Sequence, residues 1–293
     1  MQAVVDWQPE MIFLLLSTIF NSAFGLIVRY SQRKGSNLFV VGAINYVTAA
    51  LFHTIVMAAG GLARPHTATV LIGALGGLFY SGTFLLLCPF MLKRGVSIAA
   101  TVARLSMLIP VLFALLIWGE SARAIQLVGG VVALAALPFL TFRPRVDKRK
   151  LDAGSVLLLF AVFFAAGLCA LSIRWYHQTG IRGEEATFLA FLFGTAAMVV
   201  GTTWLLRRDG SSARDIPPGF VLGLVNAVGN RLLIAALRQL PSIVVYPFSS
   251  VVGLLITILF SLTVWRERIT RVEIIGIAIA SVSILLVNLG LGG

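Results

Sequence analysis

Four asparagines and three tyrosines set in apolar surroundings are the groups in this chain best suited to hold a polar solute. Asn226 and Asn230 stand one helical turn apart and follow Gly219 and Gly223 along the same face. Gly73, Gly77, Tyr80 and Phe84 repeat that pattern 146 residues earlier. A third stripe carries Ser242, Tyr246, Ser249, Ser250, Gly253 and Thr257, and its counterpart in the first half carries Ser97, Thr101 and Arg104. Thr18, Asn21 and Gly25 form another, and Asn45 with Tyr46 a last one. Amides and hydroxyls recognise a solute by hydrogen bonds. The rings of Tyr46, Tyr80, Phe84 and Tyr246 can receive an apolar or aromatic side chain.

Each type also has a plainer reading. Glycine pairs commonly seat one helix on another, and Ser or Thr in an apolar helix often bonds its own backbone. Amides facing hydrocarbon are costly and prefer an interior or wet face. Matching stripes in both halves therefore point to a shared aqueous cavity lined by Asn21, Asn45, Tyr46, Tyr80, Phe84, Arg104, Asn226, Asn230, Tyr246 and Ser250. Two readings stand for Arg104 and Arg231: contact with a solute, or snorkelling and bonding to helix carbonyls.

Acids are missing from the middle of the chain's apolar runs. No Asp or Glu occurs between residues 11 and 119 or between 216 and 266. Glu120 and Glu267 precede apolar runs, where a carboxylate can meet free backbone N–H groups at a helix start. His53 is the one titratable candidate for proton coupling within a run, and a lone His there is more often packed. Ser81-Gly82 is the faintest hint of a nucleophile, without a base in evident reach. Cys88 and Cys169 read as small buried hydrophobes, with no disulfide or metal spacing. No catalytic group, cofactor or metal is expected.

The elements that position these stripes are long apolar helices. The chain is 59% hydrophobic and 12% charged, about half the charge of a soluble domain. Ten stretches near the bilayer-spanning length of roughly 20 residues can be laid out: 11–30, 37–59, 69–93, 97–118, 123–141, 153–175, 184–206, 217–238, 242–266 and 271–290. Lipid cannot satisfy an open backbone, so the fold class is all-α, spanning a lipid bilayer. Pro89, Pro110, Pro138 and Pro247 interrupt these helices, as kinks or as tolerated curvature.

The chain also repeats itself. Leu112-Phe113, Leu115, Trp118, Glu120, Gly129 and Ala133 recur 147 residues later as Leu259-Phe260, Leu262, Trp265, Glu267, Gly276 and Ala280. Arg29, Tyr30 and Gly35 recur as Arg174, Trp175 and Gly180. Residues 1–146 and 147–293 thus form two five-helix repeats, joined by a basic linker at 143–150. With an odd number of spans each, the second repeat enters the membrane from the opposite side, so the repeats are inverted.

The net charge of +12 is a matter of topology. Alternate loops place 16 Lys and Arg on one face and five on the other. The positive-inside rule puts the basic loops in the cytoplasm and both termini outside. Nucleic acid is not an expected partner. The N-terminus carries Asp6 and Glu10 before the first run and reads as helix 1 rather than a cleaved signal.

Ten spans, an inverted repeat, and a Glu followed nine residues later by Gly in both halves (Glu120–Gly129, Glu267–Gly276) resemble the EamA type of the drug/metabolite transporter superfamily. Within it the chain looks most like bacterial amino-acid exporters, the aromatic amino-acid exporters among them. The resemblance implies a basket of helices around a cavity, with helices 5 and 10 behind, in the cell inner membrane. A lumen of Asn, Ser, Tyr and Phe without an acid suits a small zwitterion, so the expected function is export of amino-acid-like metabolites by alternating access. The alternative is a proton-coupled multidrug or quaternary-ammonium exporter, which needs an intramembrane acid.

Overall fold

Apolar residues recur along this chain with too few polar interruptions for any element but helix to satisfy its backbone in lipid. The structure, a computed structural model, describes residues 9–61, 64–94, 102–141, 153–179, 181–208, 210–264 and 271–289. Among them the regular structure is helical and no strand occurs. In chain order the helices are α1 (Pro9–Arg33), α2 (Leu38–Ala59), α3 (Thr67–Arg94), α4 (Leu108–Leu116), α5 (Ala124–Thr141), α6 (Ala153–Gln178), α7 (Glu185–Arg207), α8 (Ile216–Leu237), α9 (Ser242–Thr263) and α10 (Arg271–Leu289). Ser97, Thr101, Gly180, Trp265, Glu267 and the linker at 143–150 lie outside the described residues, as do the side chains of Cys88, Pro89 and Pro138.

Seven of the described helices are long and apolar enough to cross a membrane. Shorter apolar helices stand at Val102–Leu116, Ala124–Leu137 and Ile274–Leu286. Large side chains such as Leu116 (79% exposed) and Leu157 (73%) face outward, while Asn45 and His53 are fully buried. Apolar outside and polar within is the arrangement of a multi-pass membrane protein.

Local signals set the helix ends. The Asn37 side chain accepts a hydrogen bond from the Phe39 N–H and caps α2. Pro217 and Pro218 occupy the first turn of α8, where a missing N–H costs nothing. The expected span at 97–118 is not one straight helix in its described part. It turns at Ser106-Met107, and α4 begins two residues before Pro110. Pro110 thus sits in a first turn instead of kinking a helix interior. Pro247 does lie inside α9.

The packing has a reciprocal pattern. α2 lies along α7, and α5 along α10; α1 lies on α8 as α6 lies on α3. α2 meets α8 as α7 meets α3, and α1 meets α9 as α6 meets α4. Glycines make the closest of these approaches. A Cβ at Gly73 of α3 would sit 2.8 Å from the Phe188 carbonyl oxygen of α7, and Gly77 is tighter still against Leu192. On α8, a Cβ at Gly223 would sit 2.6 Å from the Asn45 carbonyl oxygen of α2. The glycine half of each stripe is therefore a seat for a neighbouring helix.

The connectors gather at two ends. At one end Asp215 Oδ1 accepts the Asn37 N–H at 3.2 Å, and the Asn37 side-chain amide donates to the Gly210 carbonyl. Asp215 is held in place by a capping box with Ser212. At the other end His66 donates its backbone N–H to Glu184, and its ring contacts the same carboxylate at 2.8 Å.

Candidate functional site

Midway along α3, α8 and α2 the polar groups join into one directional chain. The Tyr80 hydroxyl donates to Asn230 Oδ1 at 2.6 Å, and the Asn230 amide donates to Asn226 Oδ1 at 2.7 Å. The Asn226 amide in turn donates to Asn45 Oδ1 at 3.3 Å. Each link uses one donor and one acceptor, so all three amides are oriented by their neighbours. The chain ends on Asn45 Nδ2, which is buried and has no partner. An unmet buried donor costs about 1–3 kcal/mol.

Aromatic rings wall this chain. Tyr46 donates its hydroxyl to the Tyr80 carbonyl at 3.2 Å and meets Phe84 edge-on at 5.9 Å. Phe84 lies against Gly42, filling the space a side chain there would need. Phe193 of α7 is the hub: it stacks on Tyr46 at 6.3 Å and on His53 at 5.8 Å, and meets Tyr80 edge-on at 5.8 Å. Nothing in the sequence marked Phe193, because an aromatic residue in a mostly apolar helix carries no sign of which way it faces. His53 is fully buried, with Nε2 3.3 Å from the Ala227 carbonyl oxygen. That is the packed histidine of the plainer reading.

A second cluster joins α1, α9 and the segment before α4. Arg104 Nη1 donates to the Ser249 carbonyl at 3.2 Å, and its guanidinium covers Gly253. Thr18 donates to Ser249 Oγ, and Ser22 to the Gly253 carbonyl. No carboxylate lies at ion-pair distance from Arg104 among the described residues. Asn21 is set against Gly229 of α8, beside Asn230. Tyr246 is buried and donates to the Ala170 carbonyl of α6 at 3.0 Å; Ser250, one turn on, is buried too. Tyr246, Tyr46 and the Cys169 thiol all lie within electrostatic reach of the Tyr80 hydroxyl. Arg231, in contrast, is exposed.

Two side chains play parts other than those their positions suggest. Ser81 is buried and spends its hydroxyl on the Gly77 and Leu78 carbonyls of its own helix. Glu120, expected to serve the helix that follows it, serves α9 instead. Its Oε1 accepts the Ser242 N–H at 2.5 Å and stands 3.7 Å from Arg174 Nη2. The Gln126 side chain supplies the acceptor at the start of α5, taking the Arg123 N–H at 2.9 Å. Arg174, which the sequence marked only as the repeat counterpart of Arg29, places its guanidinium 5.7 Å from the centre of the Trp118 ring.

The comparisons with known proteins agree with this architecture. Over 279 residues the chain is 24% identical to an uncharacterized protein of Haemophilus influenzae, covering 92% of this chain and 93% of that one. A crystal structure of a protein 16% identical in sequence superposes with a TM-score of 0.80 over 96% of both chains, a likeness of fold. Residues 153–289 match the EamA-like transporter family. This stretch of the chain therefore carries an EamA-like transporter domain.

Proposed function

We propose that this chain is a carrier that exports small zwitterionic metabolites, amino acids with aromatic or other large side chains among them. The observation that carries the reading is the buried chain from Tyr80 through Asn230 and Asn226 to the unmet amide of Asn45. Near it stand four rings, and Arg104 adds a guanidinium with no carboxylate at ion-pair distance among the described residues. Arg104 takes the carboxylate of the solute, the asparagine chain takes its polar head, and Tyr46, Tyr80, Phe84 and Phe193 take its side chain. Asn21, Tyr246 and Ser250 complete the lining.

The repeats at 1–146 and 147–293 are inverted, ten spans in all, and rock against each other to expose the site to either side in turn. Support comes from the exchange of contacts between the halves and from the paired glycine seats. The protein resides in the cell inner membrane with its basic loops in the cytoplasm and its termini outside, by the charge asymmetry of the loops. The Asn37–Asp215 end is then cytoplasmic and the His66–Glu184 end outer.

The test is a transport panel with purified protein in liposomes, with and without an imposed pH gradient. Phenylalanine and other large amino acids move down their own gradients without it. Movement of lipophilic cations alone, strictly tied to the pH gradient, would establish the competing drug-exporter reading.

A further inference from the structure

A cavity lies away from the asparagine chain. It opens among α6, α7 and α8 near the His66–Glu184 end and has a volume of about 440 Å³, lined by Tyr176, His177, Arg182, Glu185, Arg238 and Gln239. Arg238 falls eight residues beyond Asn230, just past the end of α8, a rise of about 12 Å. The size suits a small organic solute, for which pockets run from roughly 300 to 1,000 Å³.

The arginines around this cavity are not all paired. The guanidinia of Arg174, Arg238 and Arg182 all lie within electrostatic range of the His177 ring. Two are matched: Arg174 with Glu120 at 3.7 Å, and Arg238 with Glu185. Arg182 has no carboxylate at ion-pair distance among the described residues.

Hydrogen-bond roles tilt the same way. Arg174 Nη1 contacts His177 Nδ1, and a guanidinium can only donate. Nδ1 is therefore the acceptor, the ring is neutral, and its proton is on Nε2, which is a donor. The Tyr176 hydroxyl is already given to the Ile181 carbonyl at 3.3 Å. What the cavity offers is an unmatched guanidinium, an imidazole N–H and the amide of Gln239, against a Glu185 already engaged.

We propose that this cavity is a second ligand site, for a small monocarboxylate held by Arg182 with help from His177 and Gln239. A carboxylate finds an unpaired guanidinium, whereas a bare cation finds Glu184 and Glu185 already engaged by His66 and Arg238. The site does not depend on the lumen reading, since it shares no residue with Asn45, Asn226, Asn230 or Arg104.

Equilibrium dialysis of labelled benzoate against the full chain in nanodiscs at low salt tests it, with benzylamine and inorganic phosphate as competitors. Benzoate binds at two equivalents per chain, one at each site. Arg182→Gln removes one equivalent or weakens it tenfold or more, and Arg182→Lys restores part of it. Arg104→Gln removes the other. Arg182 is exposed, so its variants keep the fold. Unchanged binding in Arg182→Gln overturns the proposal, as does displacement by benzylamine or phosphate at the concentration where unlabelled benzoate displaces. Two equivalents remaining in Arg104→Gln would overturn the lumen assignment and leave this one standing.

Discussion

The hydrogen bond from Tyr80 to Asn230 offers the sharpest quantitative test of the buried chain. Tyr80→Phe removes the hydroxyl that donates at 2.6 Å and leaves Asn230 Oδ1, 3% exposed, without that donor. The ring should stay, because its edge-on contact with Phe193 at 5.8 Å does not involve the oxygen. Hydrogen bonds between membrane helices are worth about 0.6 kcal/mol on average and up to about 1.7. This one is short and buried and fixes the next amide in line, which places it near the upper end, ~1–1.7 kcal/mol. A double-mutant cycle isolates the term: Tyr80→Phe, Asn230→Leu, and both together, each unfolded reversibly in mixed micelles. The two single losses then exceed the double by about 1 kcal/mol or more, well beyond the ~0.3–0.5 kcal/mol within which independent sites add. Additive losses would mean that Tyr80 and Asn230 act separately, and the directional chain would have to be given up.

Other expectations follow from single contacts. Gly77→Ala and Gly223→Ala drive a methyl into the backbones of α7 and α2 and should cost about 1–3 kcal/mol in the same unfolding assay. Gly82→Ala, with nothing within 4 Å, is the neutral control. Glu120→Gln strands Arg174 inside the bundle and should cost about 3 kcal/mol, and Glu120→Gln with Arg174→Met should cost less than the single change, as thermal melts would report. Burial pushes Glu184 up, but the hydrogen bonds it accepts at the start of α3, those of His66 among them, outweigh this and hold it below its usual value. Its contribution is therefore complete above pH 4.5 and is lost as pH falls through the depressed value. Melting curves between pH 6 and 3 should show that loss in the native chain and a flatter profile in Glu184→Gln.

Helix placement was legible because lipid leaves the backbone a single option, so long apolar runs and helices nearly coincide. The glycine seats were legible because positions such as Gly73 and Gly219 must stay small for a neighbouring helix to approach. Asn226 and Asn230 announced themselves by the cost of an amide in hydrocarbon. The partners they choose did not, since a link such as Asn226 to Asn45 spans 181 residues of sequence and depends on how α2 meets α8. Phe193 was invisible for the opposite reason: an aromatic residue in an apolar helix carries no sign of which way it faces. Glu120 was read as the servant of α5, its nearest helix start, while the fold brings the start of α9 closer. Sequence distance is a poor guide to which helix dipole a carboxylate meets.

The fastenings at the two ends of the bundle differ in kind. Near α1 and α8 the link is a backbone N–H on a buried Asp215, with a side-chain amide beside it. At the far end carboxylates are engaged near the surface, Glu184 by the ring and backbone N–H of an exposed His66 and Glu185 by the half-exposed guanidinium of Arg238. Dissolved ions weaken the second sort of clasp much more than the first. Ionic strength therefore acts on this molecule as a one-sided lever, loosening the mouth that faces the His66 loop while the opposite mouth keeps its grip.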